Sequence, residues 1–386
     1  MKSVRLIFHA FRDLIIRHLP TWHKKGGFAF IVHPRNIPDV YRKYPFLKFL
    51  SSSQLNWFLA HFWPVIISEI EGLKDRDGKK VKGWVVTISL TPKQMAENRP
   101  LAQKKIFDAV VLAEKMGANF VGLGALTASL TRGGLDISEK ARIGITTGRA
   151  LTVYVVTGTA LAAIDKFGLD LSEVTVGIVG AAGGVGNGCS KLLFEKGVRK
   201  FILIDVDKKI PDVENLVNEI KSKHGGLNAS FVISNDIKKV IDADLLITAT
   251  NAPQVVIKSE HLKPGAIIIN DAQPSDVSPE VYGEREDVLI LEGGLINTPG
   301  INYHFNFGLA NREDSFCCLG EVMSLAHENW DKHYALGYLD MGLIDKVATL
   351  SKKLNFRLAN FQNFVEGEIK QDKIDKIQKI LSKNGS

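Results

Sequence analysis

The chain has 386 residues, of which 45% are hydrophobic and 24% charged, a composition that predicts a large folded core and excludes a disordered chain. Three cysteines, two of them adjacent, exclude a disulfide framework and favour a cytoplasmic location. No apolar run reaches the roughly 20 residues that span a bilayer. The net charge of +7 favours acidic partners such as phosphates.

Residues 1–155 predict a mixed α/β N-terminal substrate domain. An apolar stripe at helical spacing opens the chain, and it either packs on this domain or contacts a membrane surface. The stripe consists of Val4, Ile7, Phe8, Phe11, Leu14 and Ile15. The pattern then predicts a strand at 27–34, helices in the aromatic-rich segment 36–70, a hairpin turning at Asp77-Gly78, a helix at 100–116, a strand at 119–126 and one or two helices at 139–167.

From Val174 onwards, buried strands alternate with helices, which predicts a central, doubly wound, parallel Rossmann sheet within residues 156–300. The predicted strands begin with VTVGIVG and continue with FILIDV (201–206), FVIS (231–234), DLLITAT (244–250), AIIIND (266–271) and DVLILEGG (287–294). Residues 301–386 predict C-terminal helices that return to the cleft, ending in an exposed, lysine-rich helix at 366–386. In folds of this kind, ligands bind at the carboxyl ends of the strands.

A glycine turn follows the first strand of this sheet and opens a helix, as a dinucleotide-binding fingerprint does. Such glycines allow a tight turn and a close approach of the pyrophosphate, which the N–H groups of the helix N-terminus then bind. The turn comprises Gly180, Gly183, Gly184, Val185 and Gly186. The strand, helix and further strands around it favour this interpretation over a turn without a ligand.

Five other residues, in three segments of the chain, are predicted to contact the cofactor. Asp205 closes the second strand, where an acidic residue binds the ribose of NADH and repels the 2′-phosphate of NADPH; it favours NADH, although Lys208 and Lys209 offer a phosphate site for NADPH. Thr250 and Asn251, in the loop TATNAPQ (248–254), are expected along the nicotinamide ribose. Gly293 and Gly294 end a strand, where bare backbone would admit the nicotinamide ring. No metal site is predicted.

The adjacent cysteines lie directly before a predicted helix that begins near Ser315. Asp314 or Ser315 can cap this helix, which places Cys318 in the first turn, where the helix N-terminus lowers the pKa of a thiol. A thiolate beside a nicotinamide can attack a thioester or an aldehyde, whereas most buried cysteines are small core residues. Glu321 lies one turn later and either orients groups or faces solvent. The candidate proton donors are Tyr154, Tyr303, His304 and His327.

Five segments resemble, in order, the long-chain acyl-[acyl-carrier-protein] reductases of cyanobacteria, which form fatty aldehydes. The resemblance runs from about residue 28 to about residue 361. The segments are FIVHPRNIPDVYRKYP, LGALTASL (123–130), TTGRALTVYVV (146–156), VTVGIVGAAGGVGNGCSKLL and SFCCLGEVMSLAHENW. Matching the last segment residue by residue implies that Cys318, and not Cys317, is the nucleophile.

The resemblance implies a ping-pong reduction of a fatty acyl thioester. The acyl group of acyl carrier protein or of coenzyme A moves to the cysteine, and a nicotinamide hydride then releases the aldehyde. The basic charge suits the acidic carrier protein or the phosphates of coenzyme A, and no nucleic-acid partner is expected. Asp205 departs from the family pattern, which leaves both NADPH and NADH open, and Arg149 stands where the TTG motif of the family continues with a smaller polar residue, which implies different details of the pocket.

Two other hypotheses fit the domain order. One is a dehydrogenase similar to shikimate or glutamyl-tRNA reductases. The apolar, aromatic N-terminal region argues against a polar shikimate pocket, and no cysteine precedes Cys189 to serve as that of a glutamyl-tRNA reductase. The other is a non-catalytic protein that binds nucleotide or a membrane surface. Cys189 itself, inside the first Rossmann helix, is expected in the core.

Overall fold

A computed structural model of the chain describes residues 2–19, 26–225, 227–252, 254–337 and 339–384. The chain divides into two compact units, each assembled from separated segments. The first comprises Met1–Ala150, Thr298–Phe307 and Cys318–Phe356; the second comprises Leu151–Asn297, Gly308–Cys317 and Arg357–Ser386. The functional division predicted at residues 155 and 300 stays a prediction, and the segment 301–386 contributes to both units.

The first unit is built on a five-stranded sheet in the order β2-β3-β1-β4-β5, in which β2 is antiparallel to β3 and the other pairs are parallel. Its strands are β1 (Gly27–Val32), β2 (Val65–Ile70), β3 (Gly83–Thr87), β4 (Ala118–Leu123) and β5 (Gly144–Thr146). Its first helices are α1 (Lys2–His18), α2 (Ile37–Lys43), α3 (Ser52–His61), α4 (Pro92–Glu97), α5 (Arg99–Lys115), α6 (Leu126–Ser129) and α7 (Leu135–Ser138). Ile106, Ala109 and Ala113 of α5 pack in one core with the strands.

Two predictions for this unit were wrong. The segment 36–70 was expected to be helical, but it ends in the strand β2, and the segment 139–167 contains the strand β5 before its helix. In the first case the β-branched run Val65-Ile66-Ile67 favours an extended backbone, and pairing with β3 satisfies its polar groups. The predicted hairpin is confirmed, because β2 and β3 are antiparallel and the N–H of Gly78 donates to the carbonyl of Asp75 in the turn.

The second unit is built on a six-stranded sheet in the order β11-β10-β9-β6-β7-β8, with every pair parallel. The strands are β6 (Thr175–Val179), β7 (Lys200–Ile204), β8 (Ser230–Ser234), β9 (Leu245–Thr248), β10 (Ile267–Asn270) and β11 (Leu289–Glu292). This is the strand order of the doubly wound dinucleotide-binding fold, so the predicted fold class is confirmed. The fully buried runs of β9, β10 and β11 are typical of strands covered on both faces.

The helices α8 (Arg149–Lys166), α9 (Gly184–Glu195), α10 (Ile210–Lys223) and α11 (Pro279–Glu284) accompany these strands. The chain moves from β6 to β7 on one side of the sheet and later to β9 on the other side of β6. The strand order therefore reverses at β6, and the crevice beside the carboxyl ends of β6 and β9 is where folds of this kind bind dinucleotides.

The remaining elements follow β11. They are β12 (Leu295–Asn297), β13 (Asp314–Phe316), α12 (Cys317–His327), α13 (Met341–Lys353), β14 (Arg357–Leu358), β15 (Gln362–Asn363), β16 (Gly367–Glu368) and α14 (Gln371–Asn384). β12, β13 and β14 form a small antiparallel sheet in the second unit. The C-terminal helix was expected to be exposed, which was wrong for one face: Ile374 and Ile377 of α14 are buried, because they recur at helical spacing.

The N-terminal helix α1 exposes part of its apolar stripe. Phe8, Phe11 and Ile15 are 70%, 53% and 58% exposed, whereas Asp13 on the opposite face is buried and accepts a hydrogen bond from the N–H of Ile66 at 2.8 Å. The side chains of Val4 and Ile7 lie outside those that the structure describes. No helix in the described ranges is long and apolar enough to cross a membrane, and membrane contact by α1 stays a prediction.

Candidate active site

The predicted nucleotide turn joins β6 to α9 in the second unit. Gly180 follows β6 directly with a φ of +86°, and α9 begins at Gly184. A Cβ at Gly186 would stand 2.3 Å from the carbonyl oxygen of Gly180, so only glycine fits there. Gly183 precedes the helix and provides no side-chain cap. The N–H groups of the first turn, including that of Val185, are therefore suited to a phosphate.

The carboxylate of Asp205 lies against this turn. Asp205 follows β7, and one of its oxygens accepts a hydrogen bond from the N–H of Ala182 at 2.9 Å. The nearby ammonium group of Lys209 donates to Asp212 at 2.6 Å, and Lys208 is exposed. The fold thus brings Asp205 to the glycine turn as expected from its spacing, while its part in choosing between NADH and NADPH stays a prediction.

The loop after β9 is anchored by a buried carboxyl group. Thr250 donates its N–H and its hydroxyl to Asp276, at 3.1 and 2.5 Å. Asp276 is fully buried, and this burial raises its pKa. Asn251 is exposed, and Pro253, which belongs to the same predicted loop, lies outside the described residues. The predicted contact of Thr250 and Asn251 with a nicotinamide ribose stays a prediction.

The two glycines after β11 make room for side chains of the second unit. A Cβ at Gly294 would stand 2.4 Å from Oδ1 of Asp271 and 3.2 Å from Sγ of Cys317. A Cβ at Gly293 would stand 2.7 Å from the side chain of Ile269. The expected bare backbone is present, and protein side chains occupy part of the space above it. Sequence reasoning missed Asp271, whose signal was a carboxyl group at the end of the buried run AIIIND.

The expected cap of α12 was wrong. Asp314 and Ser315 both lie in β13, and the helix begins immediately afterwards at Cys317. The carboxylate of Asp314 instead accepts hydrogen bonds from the side chains of Gln362 at 2.6 Å and Asn297 at 2.9 Å. Pairing of β13 with β12 holds both residues extended, and the buried hydroxyl of Ser315 has no hydrogen-bond partner among the described residues.

The two adjacent cysteines have different surroundings. Cys317 is 2% exposed, and its Sγ lies 3.1 Å from Oγ1 of Thr152. Its N–H donates to the carbonyl of Gly294 at 2.9 Å. Cys318 is the second residue of α12, in the first turn as predicted, and it is partly accessible. Of the two thiols, that of Cys318 is therefore the one open to a reagent.

In the first unit, the segment Thr146-Thr147-Gly148 lies against the start of α12. Gly148 has a φ of +73°, and a Cβ there would stand 2.2 Å from Cβ of Cys318. The absence of a side chain at residue 148 thus allows the backbone to approach Cys318. This contact gives the TTG motif a physical role that the sequence alone did not disclose.

Glu321, one turn after Cys318, is fully buried and does not face solvent. The hydroxyl of Thr146 donates a hydrogen bond to it. Arg149 donates to the carbonyl of Gly337 at 2.6 Å; burial lowers the pKa of Arg149, and the charge of Glu321 opposes that effect. The buried carboxylate thus joins the TTG segment to α12 and supports the position of Cys318.

The candidate proton donors named from the sequence are mostly engaged elsewhere. The hydroxyl of Tyr303 lies 2.6 Å from Oγ1 of Thr298 and is buried. His304 lies 2.9 Å from a carboxylate oxygen of Glu71, and His327 lies 2.7 Å from the carbonyl of Lys74. Tyr154 is partly buried. Cys189 is fully buried, and burial raises its pKa to about 12, which confirms it as a core residue.

Sequence comparison shows which known proteins this chain resembles. The sequence model of the shikimate/quinate 5-dehydrogenase family matches residues 161–290, the region of the central sheet. The long-chain acyl-[acyl-carrier-protein] reductase of Synechococcus elongatus is 27% identical over 296 residues, which cover 72% of this chain and 82% of that protein. The aminotransferase PigE of a Serratia species is 24% identical over 341 residues; these cover 85% of this chain but only 39% of the length of that relative.

Two solved structures align with most of this chain. L-tryptophan dehydrogenase from Nostoc punctiforme aligns over 96% of this chain and 92% of its own, at 16% identity and a TM-score of 0.39. The NAD-dependent malic enzyme from Thermotoga maritima aligns over 92% of this chain and 84% of its own, at 14% identity and a TM-score of 0.43.

The parallel sheet, its glycine turn and the sequence matches support one class of protein. The chain is similar to NAD(P)-dependent oxidoreductases in the broad sense. Within that class, the acyl-[acyl-carrier-protein] reductase is a relative that matches most of both chains.

Proposed function

We propose that this protein reduces a long-chain fatty acyl thioester to a fatty aldehyde through an acyl-enzyme on Cys318. The observation that carries the proposal is the contrast between the two thiols: Cys318 is accessible in the first turn of a helix, and Cys317 is buried beside Thr152. The similarity to a protein named long-chain acyl-[acyl-carrier-protein] reductase over 72% of the chain supports the same reaction.

The residues present fit a nicotinamide dinucleotide. A Cβ at Gly186 would fill the space that the turn leaves free, and the first-turn N–H groups of α9 suit a pyrophosphate. Gly180, Gly183 and Asp205 complete this half of the site, and Asp205 favours NADH over NADPH by its negative charge. A bound nicotinamide would supply the hydride that reduces the acyl group.

The reaction has two chemical stages at Cys318. In the first, its thiolate sulfur forms a bond to the acyl carbon, and the bond between that carbon and the carrier sulfur breaks. In the second, hydride adds to the same carbon, and the bond to Cys318 breaks with its electron pair returning to the cysteine. The products are the aldehyde, the free carrier thiol and the oxidised cofactor, with uptake of one proton.

The carrier of the acyl group is acyl carrier protein or coenzyme A. Both are anionic, and the net charge of +7 favours association with either. The exposed apolar residues of α1 suit contact with a membrane, where a fatty aldehyde product would partition.

A dehydrogenase acting on a shikimate-like substrate is the alternative that one observation favours. The matching family model covers residues 161–290, which hold the nucleotide-binding sheet. Enzymes that catalyse many different reactions share such a region. The alternative therefore depends on which substrate the residues of the first unit bind. It predicts that oxidation of a polar hydroxy acid proceeds without a covalent enzyme intermediate.

The test is the intact mass of the protein after incubation with palmitoyl-coenzyme A or palmitoyl-acyl carrier protein, without nicotinamide cofactor. We expect an added palmitoyl mass on the native chain and on Cys317→Ala, and none on Cys318→Ser. Addition of NADH or NADPH should remove the adduct and release palmitaldehyde. The absence of an adduct with both donors, while nucleotide still binds, would overturn the proposal in favour of the dehydrogenase.

A further inference from the structure

The proposed function assigns no task to Asp271, a residue of the second unit. Asp271 follows β10 directly, so it lies at the carboxyl edge of the parallel sheet, where folds of this kind bind their ligands. Its N–H donates to the carbonyl of Thr248 at 2.9 Å, which ties its backbone to the neighbouring strand β9. A Cβ at Gly294 would stand 2.4 Å from its Oδ1, so the carboxyl group lies beside the glycines that follow β11.

The topology of the sheet determines which half of a dinucleotide would lie near Asp271. The glycine turn after β6 suits the pyrophosphate, and Asp205 after β7 suits the ribose of the adenosine half. Dinucleotides lie across the point where the strand order reverses, so the nicotinamide half would extend over β9 and β10. The turn adjoins that side directly, because a Cβ at Gly180 would stand 2.8 Å from the carbonyl oxygen of Ala249.

The spacing of the strands agrees with the length of the cofactor. β10 is two strands away from β6 in the sheet. Neighbouring strands lie about 4.8 Å apart, so the ends of β6 and β10 are about 10 Å apart. The ribose and the nicotinamide ring that follow the pyrophosphate span a comparable length. Asp271 is therefore in the part of the sheet edge where the nicotinamide ring would lie.

The carboxyl group of Asp271 is open to a ligand. Among the described residues, no hydrogen bond to its side-chain oxygens is found, whereas Thr250 donates two to the neighbouring carboxyl group of Asp276. The side chain of Asp271 is also partly accessible. A carboxyl group that only stabilises the fold would be expected to have partners, so the lack of them indicates a ligand.

The groups around Asp271 leave its negative charge uncompensated. Withdrawal from water and the charge of Asp276 raise the pKa of Asp271 to about 8. The thiols of Cys317 and Cys189 also face it, and burial raises the pKa of Cys189 to about 12. Glu292, at the end of β11, accepts a hydrogen bond from Asn270 at 3.4 Å. Among the described residues of this unit, no cation pairs with Asp271, so an ionised carboxyl group would favour a cationic ligand.

We propose that Asp271 binds the nicotinamide end of the cofactor and that its carboxylate favours the oxidised ring over the reduced ring. The oxidised ring is a cation and the reduced ring is neutral, whereas the phosphates and riboses of the two forms are identical. A carboxylate attracts a cation strongly in surroundings withdrawn from water. Binding of NAD⁺ therefore releases the proton of Asp271 to water, and binding of NADH leaves it in place. The inference rests on the proposed nucleotide site and not on acylation of Cys318.

This role of Asp271 has a consequence for the direction of the reaction. A reduction of substrate consumes NADH and leaves NAD⁺ in the site. The carboxylate of Asp271 stabilises the positive charge of this product, whereas the protonated carboxyl group is compatible with the neutral ring of NADH. The residue therefore favours oxidation of the cofactor, which is the direction that the proposed function requires.

The experiment measures dissociation constants by isothermal titration calorimetry at pH 6.5 and at pH 9, with NAD⁺ and NADH and, in parallel, with NADP⁺ and NADPH. The reduced forms control for every group that contacts the phosphates and riboses. A neighbouring opposite charge lowers the pKa of a carboxyl group by about one unit or more, so the native chain should bind NAD⁺ about tenfold more tightly at pH 9 than at pH 6.5. The affinity for NADH should be the same at both.

Counting protons supplies a second readout that needs no variant. Titrations at pH 7.5 are repeated in two buffers with different enthalpies of ionisation, so that the difference in heat gives the number of protons released. We expect release with NAD⁺ and none with NADH. A carboxyl group with only a structural role would release protons with neither.

Two variants assign the effect to one side chain. Asp271→Asn should bind NADH as the native chain does, should bind NAD⁺ about tenfold more weakly at pH 9, and should release no proton with it. Cys317→Ala is the matched control, because its thiol lies beside the same point at Gly294 and is the other titratable group there. It should keep both the pH dependence and the proton release.

Three results would overturn the inference. They are an equal pH dependence for NAD⁺ and NADH, a pH dependence that persists in Asp271→Asn, and one that disappears in Cys317→Ala. If none of the four dinucleotides binds, the proposed nucleotide site fails and the inference fails with it. Acylation of Cys318, measured by intact mass without cofactor, tests the proposed reaction separately from all of these results.

Discussion

In one half of the central sheet, called the binding half below, the carboxyl ends of β6 and β7 carry the glycine turn and Asp205, whose carboxylate accepts a backbone hydrogen bond. In the other half, the carboxyl ends of β9, β10 and β11 carry Thr250, Asp271 and the glycines at 293 and 294. Asp276 is buried there, and Asp271 has a raised pKa. The first half offers backbone N–H groups, which suit an anionic ligand; the second offers ionisable side chains withdrawn from water, which suit proton transfer. The comparison indicates a division between binding and chemistry.

The largest effect in the binding half is expected for Gly186→Ala. Its Cβ would stand 2.3 Å from the carbonyl oxygen of Gly180, so the turn must shift. Overpacking of this kind costs about 1–3 kcal/mol of folding stability. The displaced N–H groups of the turn should also weaken nucleotide binding roughly tenfold, which is a loss of about 1.4 kcal/mol of binding free energy. Acylation of Cys318 without cofactor should be unchanged. Calorimetry with NADH and the intact-mass assay measure the two effects.

The matched control for this variant is Gly283→Ala in α11, where a Cβ would meet no atom within 4 Å. It should bind nucleotide as the native chain does. If Gly186→Ala also binds normally, the glycine turn does not hold the pyrophosphate. If Gly186→Ala loses acylation as well, binding and chemistry are not divided between the two halves.

A smaller effect is expected for Asp205→Ser. Removing the carboxylate removes its repulsion of a 2′-phosphate, so the ratio of kcat/KM for NADPH to that for NADH should rise about tenfold. Asp212→Ser, which frees Lys209 from its ion pair, tests the alternative that this lysine selects NADPH. If Asp212→Ser changes the ratio and Asp205→Ser does not, the lysine determines the preference for one cofactor.

The smallest expected effect is on the thermal stability of the folded protein, and it comes from Asp271 in the other half of the sheet. The folded protein keeps a proton on Asp271 up to about pH 8, whereas an unfolded chain releases it near pH 4. The folded state therefore binds more protons between these values, and its contribution to stability falls as the pH rises. Asp271→Asn abolishes this fall, so the variant should melt about 3 °C or more above native protein at pH 8.

Below about pH 4 the two proteins should melt together, because the folded and unfolded states of the native chain then both hold the proton. Scanning calorimetry across this range measures the difference. A variant that is less stable than native protein at pH 8 would show that the ionised carboxyl group is favourably bound.

The sequence predicted the binding half well because its signals are local. A buried strand, a glycine turn, a helix start and an acidic residue after the second strand lie within residues 174–205, and the structure has all of them in the expected places. It predicted the first unit less well. The strand β2 was assigned to a helix because its pairing partner β3, and not its own residues, determines its conformation.

The other half of the sheet was harder to predict from the sequence, because its arrangement depends on contacts between residues far apart in the chain. Residues 271, 294 and 317 belong to three separate segments, and only folding places them around one point. The same holds for Gly148 against Cys318 and for Thr146 bonded to Glu321. No local pattern announces such pairs, because each residue alone is as ordinary in a core as in a site.

The sequence by itself determined the class of fold, the position of the nucleotide turn and the choice of Cys318 as the proposed nucleophile. The first two follow from hydrophobic periodicity and from glycines whose conformation few other residues adopt, and the choice of Cys318 follows from the resemblance of its segment to that of the acyl-[acyl-carrier-protein] reductases. The tertiary structure decided which thiol is buried, that Glu321 is internal and that Asp271 stands beside Cys317 with a raised pKa. Burial and charge proximity are properties of the folded chain, and they set protonation where the sequence gives only the residue type.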